Sequence, residues 1–93
     1  MERRVSVVGM LGEHELDFCS GDRLTLALRD LLRDQAPLSL DLSDLTFLDS
    51  AGLRTLLLAR YEAQKRGIDL GLVNAERQVR SVFACLGMEA LLG

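Results

Sequence analysis

The sequence contains few of the residues that metal sites and cysteine- or histidine-based active centres need. Its 93 residues include one histidine, His14, and two cysteines, Cys19 and Cys85. The cysteines lack the spacing of zinc ligands, and one histidine in a loop does not indicate a catalytic triad. The chain also has no Walker loop and no GxGxxG sequence. We therefore predict no metal, no cofactor and no catalytic group. We expect reduced thiols, with a regulatory disulfide as the less favoured alternative.

Long apolar runs and an excess of basic charge are also missing. No apolar stretch approaches the ~18 residues of a membrane span. Residues 1–4 lead into a strand-like run, without the apolar core and cleavage site of a signal peptide. We therefore expect a cytoplasmic protein without direct membrane insertion. The net charge is −3, and lysine and arginine are scattered among acidic residues. Since no basic face emerges, we expect no direct contact with nucleic acid.

The apolar residues that are present, 48% of the chain, divide it into alternating strands and helices. Alternation and β-branched runs predict strands over 5–11, 38–42 and 68–73. Helical spacing predicts helices from Arg23 to before Pro37, from Ser50 to about Arg66, and from a cap at Asn74 to Gly87. Residues 12–19 are ambiguous between a turn and a short extended piece, and 89–92 could form a last turn. The alternation implies crossovers and a mainly parallel sheet in one small domain.

The stretch 47–53, Phe-Leu-Asp-Ser-Ala-Gly-Leu, is the most informative part of the chain. Ser50 opens a predicted helix, beside unpaired backbone N–H groups and the positive end of the helix dipole. A phosphoryl group there would add a charge of roughly −1.5 to −2 without breaking the helix. The position therefore predicts a phosphorylation switch. The alternative is that Asp49 and Ser50 serve only as helix-capping residues.

This stretch also carries a resemblance to a known family. Asp-Leu-Ser at 41–43, then four residues, then Leu-Asp-Ser-Ala-Gly-Leu at 48–53, resembles the signature of STAS domains of the anti-sigma factor antagonist type. The likeness extends to residues 4–12 as a first strand, to 70–74 before a last helix, and to 83–88. It implies a single STAS domain over 1–93. The implied fold is α/β, a small mixed and mainly parallel sheet packed with three to four helices.

The resemblance implies a mechanism as well. In the family, the unphosphorylated protein binds an anti-sigma factor that is also a serine kinase, which frees the sigma factor. The kinase uses ATP to phosphorylate the position that matches Ser50, the complex separates, and a serine phosphatase resets the protein. On this reading the chain is not an enzyme. The alternative is a constitutive STAS regulatory subunit of a membrane transport complex, which docks through the same surface without phosphorylation. A small enzyme has the least support.

The predicted partner-binding residues lie in and just after the motif, at Asp49, Ser50, Ala51, Gly52, Arg54 and Leu58. The small side chains of Ala51 and Gly52 would let a partner approach the serine, or Gly52 would only allow close packing of helix on sheet. Leu58 falls on the polar side of the helical wheel, as a partner anchor or as an ordinary exposed leucine.

The chain departs from the family at two places. Arg54 stands where a second glycine is usual. It lies four residues after Ser50, so it could bond a phosphoserine, or it could be a solvated arginine. The family's Gly-Glu-hydrophobic-Asp turn is replaced by Gly-Glu-His-Glu-Leu-Asp at 12–17, where either Glu15 or Asp17 could fill the acidic role.

Overall fold

A computed structural model describes residues 3–93; residues 1 and 2, where the predicted domain begins, lie outside this range. Strands and helices alternate along the chain. In order they are β1 (Arg3–Ser6), α1 (Val7–Leu11), β2 (Glu15–Leu16), α2 (Gly21–Leu32), β3 (Leu38–Asp41), β4 (Phe47–Leu48), α3 (Ser50–Lys65), β5 (Leu70–Val73) and α4 (Arg77–Cys85), followed by a 3₁₀ turn (Glu89–Leu91).

The strands form two parallel sheets. β3 is central in the larger sheet and pairs in parallel with β1 on one side and β5 on the other. Its first three residues are all buried, as expected for a parallel strand covered on both faces, and Ser39 among them lies opposite Gly71 of β5. The short strands β2 and β4 make a second parallel pair. These pairings confirm the α/β class and the parallel sheet predicted from the alternation of elements.

The core is built mostly from leucine. α2 contributes Leu24, Leu28 and Leu32, and α4 contributes Val79 and Phe83. α3 buries the face that holds Gly52, Leu53, Leu56, Ala59 and Ala63. Leu86 follows Val79, Val82 and Phe83 at the apolar spacing that predicts the last helix, but it is exposed, because α4 ends at Cys85 and Gly87 follows with φ 71°.

The prediction of a strand over 5–11, and with it the likeness of 4–12 to a first strand, is wrong after Ser6. The chain turns into the short helix α1 at Val7. The Ser6 hydroxyl caps this helix by accepting the Gly9 N–H at 2.9 Å. Gly12 ends it with φ 72°, and its N–H donates to the Val8 carbonyl. Local capping at both ends and burial of Val7 outweigh the strand preference of the β-branched residues.

The prediction that Asn74 caps the last helix is also wrong. Glu76 occupies the N-cap position, and the helix begins at Arg77. Asn74 has a positive φ of 59° and its side-chain amide donates to the Asp41 carboxylate at 3.3 Å. Asparagine tolerates this left-handed conformation better than most residues. It therefore ends β5 and ties that end to β3.

The helix predicted from Ser50 to about Arg66 is confirmed as α3. Its C-terminal turn carries Lys65, and Gly67 follows with φ 72°, the position and conformation of a helix-terminating glycine. The last turn over 89–92 is present as the 3₁₀ turn. In the part of the chain that is described, no helix is both long and apolar enough to cross a membrane.

Candidate functional site

The junction between β4 and α3 positions the motif. β4 pairs with β2, so that Leu48 lies beside Leu16. The chain then enters α3 through Asp49, whose extended backbone (φ −98°, ψ −179°) is typical of a helix N-cap. The Asp49 carboxylate accepts the Gly52 N–H at 2.7 Å. The capping role predicted for Asp49 is therefore present, and it fixes the direction in which α3 leaves the sheet.

Gly52 brings the first turn of α3 directly against β2. A Cβ on Gly52 would lie 2.2 Å from the carbonyl oxygen of Leu16 and 2.9 Å from a methyl carbon of Leu48. No side chain fits in that space. The buried position of Gly52 supports the packing alternative. Of the predicted partner-binding residues at this end of the helix, Ser50 and Arg54 are exposed and Ala51 is half-buried.

Ser50 is the first residue of α3 and its side chain is exposed. Within residues 3–93 it is the one exposed serine or threonine whose hydroxyl makes no internal hydrogen bond. Ser20 and Ser39 are buried. The other hydroxyls bond nearby groups, and these residues are Ser6, Thr25, Ser43, Thr46, Thr55 and Ser81. The Ser50 hydroxyl is therefore accessible to a modifying enzyme or to a partner, with no internal bond to break first.

A shallow groove follows the exposed face of α3 from Ala51 to Leu58. Its opposite wall is formed by the loop after β2 and the start of α2, and it holds Phe18 and Asp22. The side chain of Phe18 is 83% exposed and that of Leu58 is 54% exposed. Leu58 thus faces outward, as the helical wheel predicts. The groove, which we call the α2–α3 groove, presents two large apolar side chains close to the Arg54 guanidinium.

Phe18 is a member of this surface that the sequence did not reveal. Its exposure follows from the turn that Asp17 makes, because the Asp17 carboxylate accepts the N–H groups of Cys19 and Ser20 at 2.9 and 3.1 Å. This tight turn leaves Phe18 on the outside. One sign of this exposure is present in the sequence: Phe18 is an aromatic residue in a stretch that has neither helical nor strand periodicity. The same contacts give Asp17 a structural role in the turn, whereas Glu15 is an exposed residue of β2.

The other half of the motif, Asp-Leu-Ser at 41–43, closes a turn at the end of β3. The Asp41 carboxylate accepts the hydroxyl and, at 2.9 Å, the backbone N–H of Ser43. It also accepts the amide of Asn74. The Ser43 hydroxyl, the Ser43 N–H, Asn74 and the positive charge of Arg4 hold the pKa of Asp41 below its ordinary value of 3.8, against a smaller opposing effect of burial. Asp41 therefore acts in the structure, as a turn-forming carboxylate.

The remaining candidate residues lie away from one another. Both cysteines, Cys19 and Cys85, are free and exposed thiols. His14 contacts the carbonyl oxygen of Asp44 through Nδ1 at 2.8 Å, and its own carbonyl accepts the Thr46 N–H. These bonds join the loops before β2 and β4. His14 therefore has a structural role in holding these two loops together.

Comparison with known protein families gives one match. A family model described as Mlab, STAS domain, matches residues 3–93, which is nearly the whole chain. The comparison with curated protein sequences gave no match.

Proposed function

The chain belongs to the STAS domain family, and from that premise we propose that it is a cytoplasmic anti-sigma factor antagonist controlled by phosphorylation of Ser50. In its unphosphorylated form it binds an anti-sigma factor that is also a serine kinase, so that the sigma factor is released. The observation that carries the proposal is the exposed, unbonded hydroxyl of Ser50 at the start of α3. No other exposed serine or threonine in residues 3–93 has this combination.

The surface next to Ser50 supports a role in protein binding. Phe18 and Leu58 expose large apolar areas on the two walls of the α2–α3 groove. Exposed aromatic and aliphatic side chains near a cation are typical anchors of protein interfaces. The groove is shallow, and its charged residues, Asp17, Asp22 and Arg54, can form ion pairs with a partner. We therefore propose that the chain works as a binding module and that the nucleotide belongs to its partner.

Phosphorylation would break such a complex by charge and by bulk. The γ-phosphoryl group of the partner's ATP moves to the Ser50 oxygen, ADP leaves, and the hydroxyl proton passes to a base of the kinase. The product carries a charge of roughly −1.5 to −2 beside the Asp49 carboxylate. A partner surface that fits a neutral hydroxyl does not fit this anion. A serine phosphatase would restore the binding form.

One observation favours the alternative of a constitutive subunit, for example in a membrane transport complex. The Asp49 carboxylate already occupies the favourable position at the start of α3, with its bond to the Gly52 N–H. A phosphate on the neighbouring serine would meet a like charge, whereas docking of an unmodified surface would not. The two functions share a surface and differ in whether Ser50 changes state.

Labelling and binding experiments separate the two. We expect the cognate kinase and ATP to modify the wild type at Ser50, and Ser50→Ala to abolish the labelling. Ser81→Ala is the matched control, because Ser81 is an exposed serine whose hydroxyl bonds the Arg77 carbonyl. Equal labelling of Ser50→Ala would refute the phosphorylation site.

Calorimetry then tests whether a charge at this position releases the partner. Ser50→Asp should weaken binding with an unchanged melting curve, since an anion is tolerated at a helix start. Unchanged affinity would favour the constitutive subunit if mass spectrometry also finds that the protein purified from its own cells is not phosphorylated at Ser50.

A further inference from the structure

Arg54 lies one helical turn after Ser50 on the exposed face of α3. Side chains four residues apart on a helix are neighbours, with Cβ atoms about 5–6 Å apart. Because helical side chains lean toward the N-terminus of the helix, a long arginine side chain at this position can extend toward Ser50. A group attached to the Ser50 oxygen is therefore within reach of the guanidinium.

The Arg54 guanidinium is available for such a contact. With residues 3–93 it forms neither a salt bridge nor a side-chain hydrogen bond, whereas Arg23, for example, binds the Glu13 carboxylate at 3.0 Å. Asp17 and Asp22 line the same groove. One oxygen of Asp17 is already engaged in its turn, and Asp22 is an exposed first-turn residue of α2. Arg54 is thus a cation without a fixed partner.

The start of α3 favours a phosphate less than an unoccupied helix N-terminus would, because one of its N–H groups is already bonded. The Asp49 carboxylate takes the Gly52 N–H at 2.7 Å and brings its own negative charge next to Ser50. A phosphate on Ser50 would therefore have the Asp49 carboxylate beside it in the chain, and Arg54, one turn along the exposed face of α3, is the cation whose charge compensates it.

We propose that Arg54 is an internal clamp for phosphorylated Ser50. Its guanidinium would bind two phosphate oxygens in the paired geometry that arginine forms with such groups. The inference rests on the proposed phosphorylation and adds a second effect to it. In the unmodified protein the guanidinium would bind an acidic group of the partner. After modification it turns back onto the phosphate, so the partner loses a cationic contact while it meets a new anion.

The test uses the full chain with phosphoserine placed at residue 50 during synthesis by codon reassignment, so that no kinase is needed. Phosphorus NMR then follows the second ionisation of the phosphate, which lies near pH 6 in the absence of perturbation. Arg54→Gln should raise that pKa by about 0.2–0.7, the range that corresponds to an exposed ion pair. Arg54→Lys should restore part of the difference, because lysine keeps the charge and loses the paired geometry.

Arg60→Gln is the matched control. It removes the same charge from the same helix, but about 15 Å along the axis from Ser50, which exceeds the screening length of ~10 Å at 0.1 M salt. It should leave the phosphate pKa unchanged, and circular dichroism should show that both variants are folded. If Arg54→Gln raises the pKa no more than Arg60→Gln does, the clamp is refuted. A kinase that fails to label Ser50 would refute the proposed function and leave this titration valid.

Discussion

Gly52→Ala tests whether close packing of the first turn of α3 on β2 holds the candidate site in place. The added Cβ would lie 2.2 Å from the Leu16 carbonyl oxygen and 2.8 Å from the Leu16 carbonyl carbon. These are backbone atoms of β2, so rotation of a side chain cannot relieve the contact. Either β2 or the first turn of α3 must move. The same movement strains the bond between the Asp49 carboxylate and the backbone N–H of residue 52.

The size of the effect is set by three opposing contributions. Alanine favours a helix over glycine by about 1 kcal/mol. Overpacking of a filled site costs roughly 1–3 kcal/mol, and a weakened N-cap costs about 0.5–2 kcal/mol. The unfolding free energy should therefore fall by about 0.5–4 kcal/mol. In a domain of this size about 1 kcal/mol corresponds to 4–8 °C, so the melting temperature should fall by about 2–30 °C.

Thermal unfolding followed by circular dichroism measures this loss, and Gly71→Ala is the control. A Cβ on Gly71 meets its nearest neighbour, the Ser39 oxygen, at an ordinary 3.6 Å. That variant should stay within ~1 kcal/mol of the wild type. A Gly52→Ala protein as stable as Gly71→Ala would refute the packing argument. If it also bound the partner more weakly, the glycine would serve the approach of the partner instead.

Two further predictions concern Leu58 and Asp41. Leu58→Ala should change stability by no more than ~0.5 kcal/mol, because the side chain is exposed, and should weaken partner binding by at least ~1 kcal/mol. Buried Leu56→Ala, its control, should cost about 2–5 kcal/mol of stability, and a comparable loss in Leu58→Ala would show that Leu58 is core. Asp41→Asn should lower the melting temperature most at neutral pH. Because the folded-state pKa of Asp41 is depressed, its stabilisation is complete above the ordinary value of 3.8 and is lost as the pH falls through the folded value. A difference between Asp41→Asn and wild type that does not shrink in acid would contradict this.

The elements that were predictable from sequence are those that local chemistry specifies. α3 begins at a capping aspartate, carries leucines at helical spacing, and ends where a glycine adopts a positive φ. Each of these signals lies within a few residues of the feature that it determines. The same is true of Ser50, whose place at the start of the helix follows from the position of Asp49 in the sequence.

The elements that were missed depend on which of two local preferences the rest of the molecule selects. Residues 5–11 contain β-branched residues that favour a strand, and also a capping serine and a terminal glycine that favour a helix. Burial of Val7 and Leu11 against the core selects the helix after Ser6. Asn74 was similarly a good cap by residue type, but the Asp41 carboxylate, which is remote in sequence, holds it in the turn after β5.

The α2–α3 groove shows the same division between local and tertiary information. Arg54 and Leu58 follow Ser50 at intervals of four, so their common face could be drawn from the sequence alone. Phe18 reaches the same groove from another element, through a turn and a close approach of two helices. A Cβ on Gly21 of α2 would lie 2.8 Å from the Thr55 hydroxyl of α3, which shows how closely these helices meet. That approach could not be read from either helix separately.

The two faces of α3 separate the packing of the helix from the side chain that the proposed phosphorylation would change. Gly52, Leu53 and Leu56 face the core, while Ser50 and Leu58 face the solvent. A phosphate added to the outer face removes no core contact, because the packing of the first turn depends on Gly52 and its capping bond to Asp49. Binding can therefore change without a change of fold. A partner that binds this surface would respond to a local change of charge on α3. No movement of the sheet beneath the helix is required.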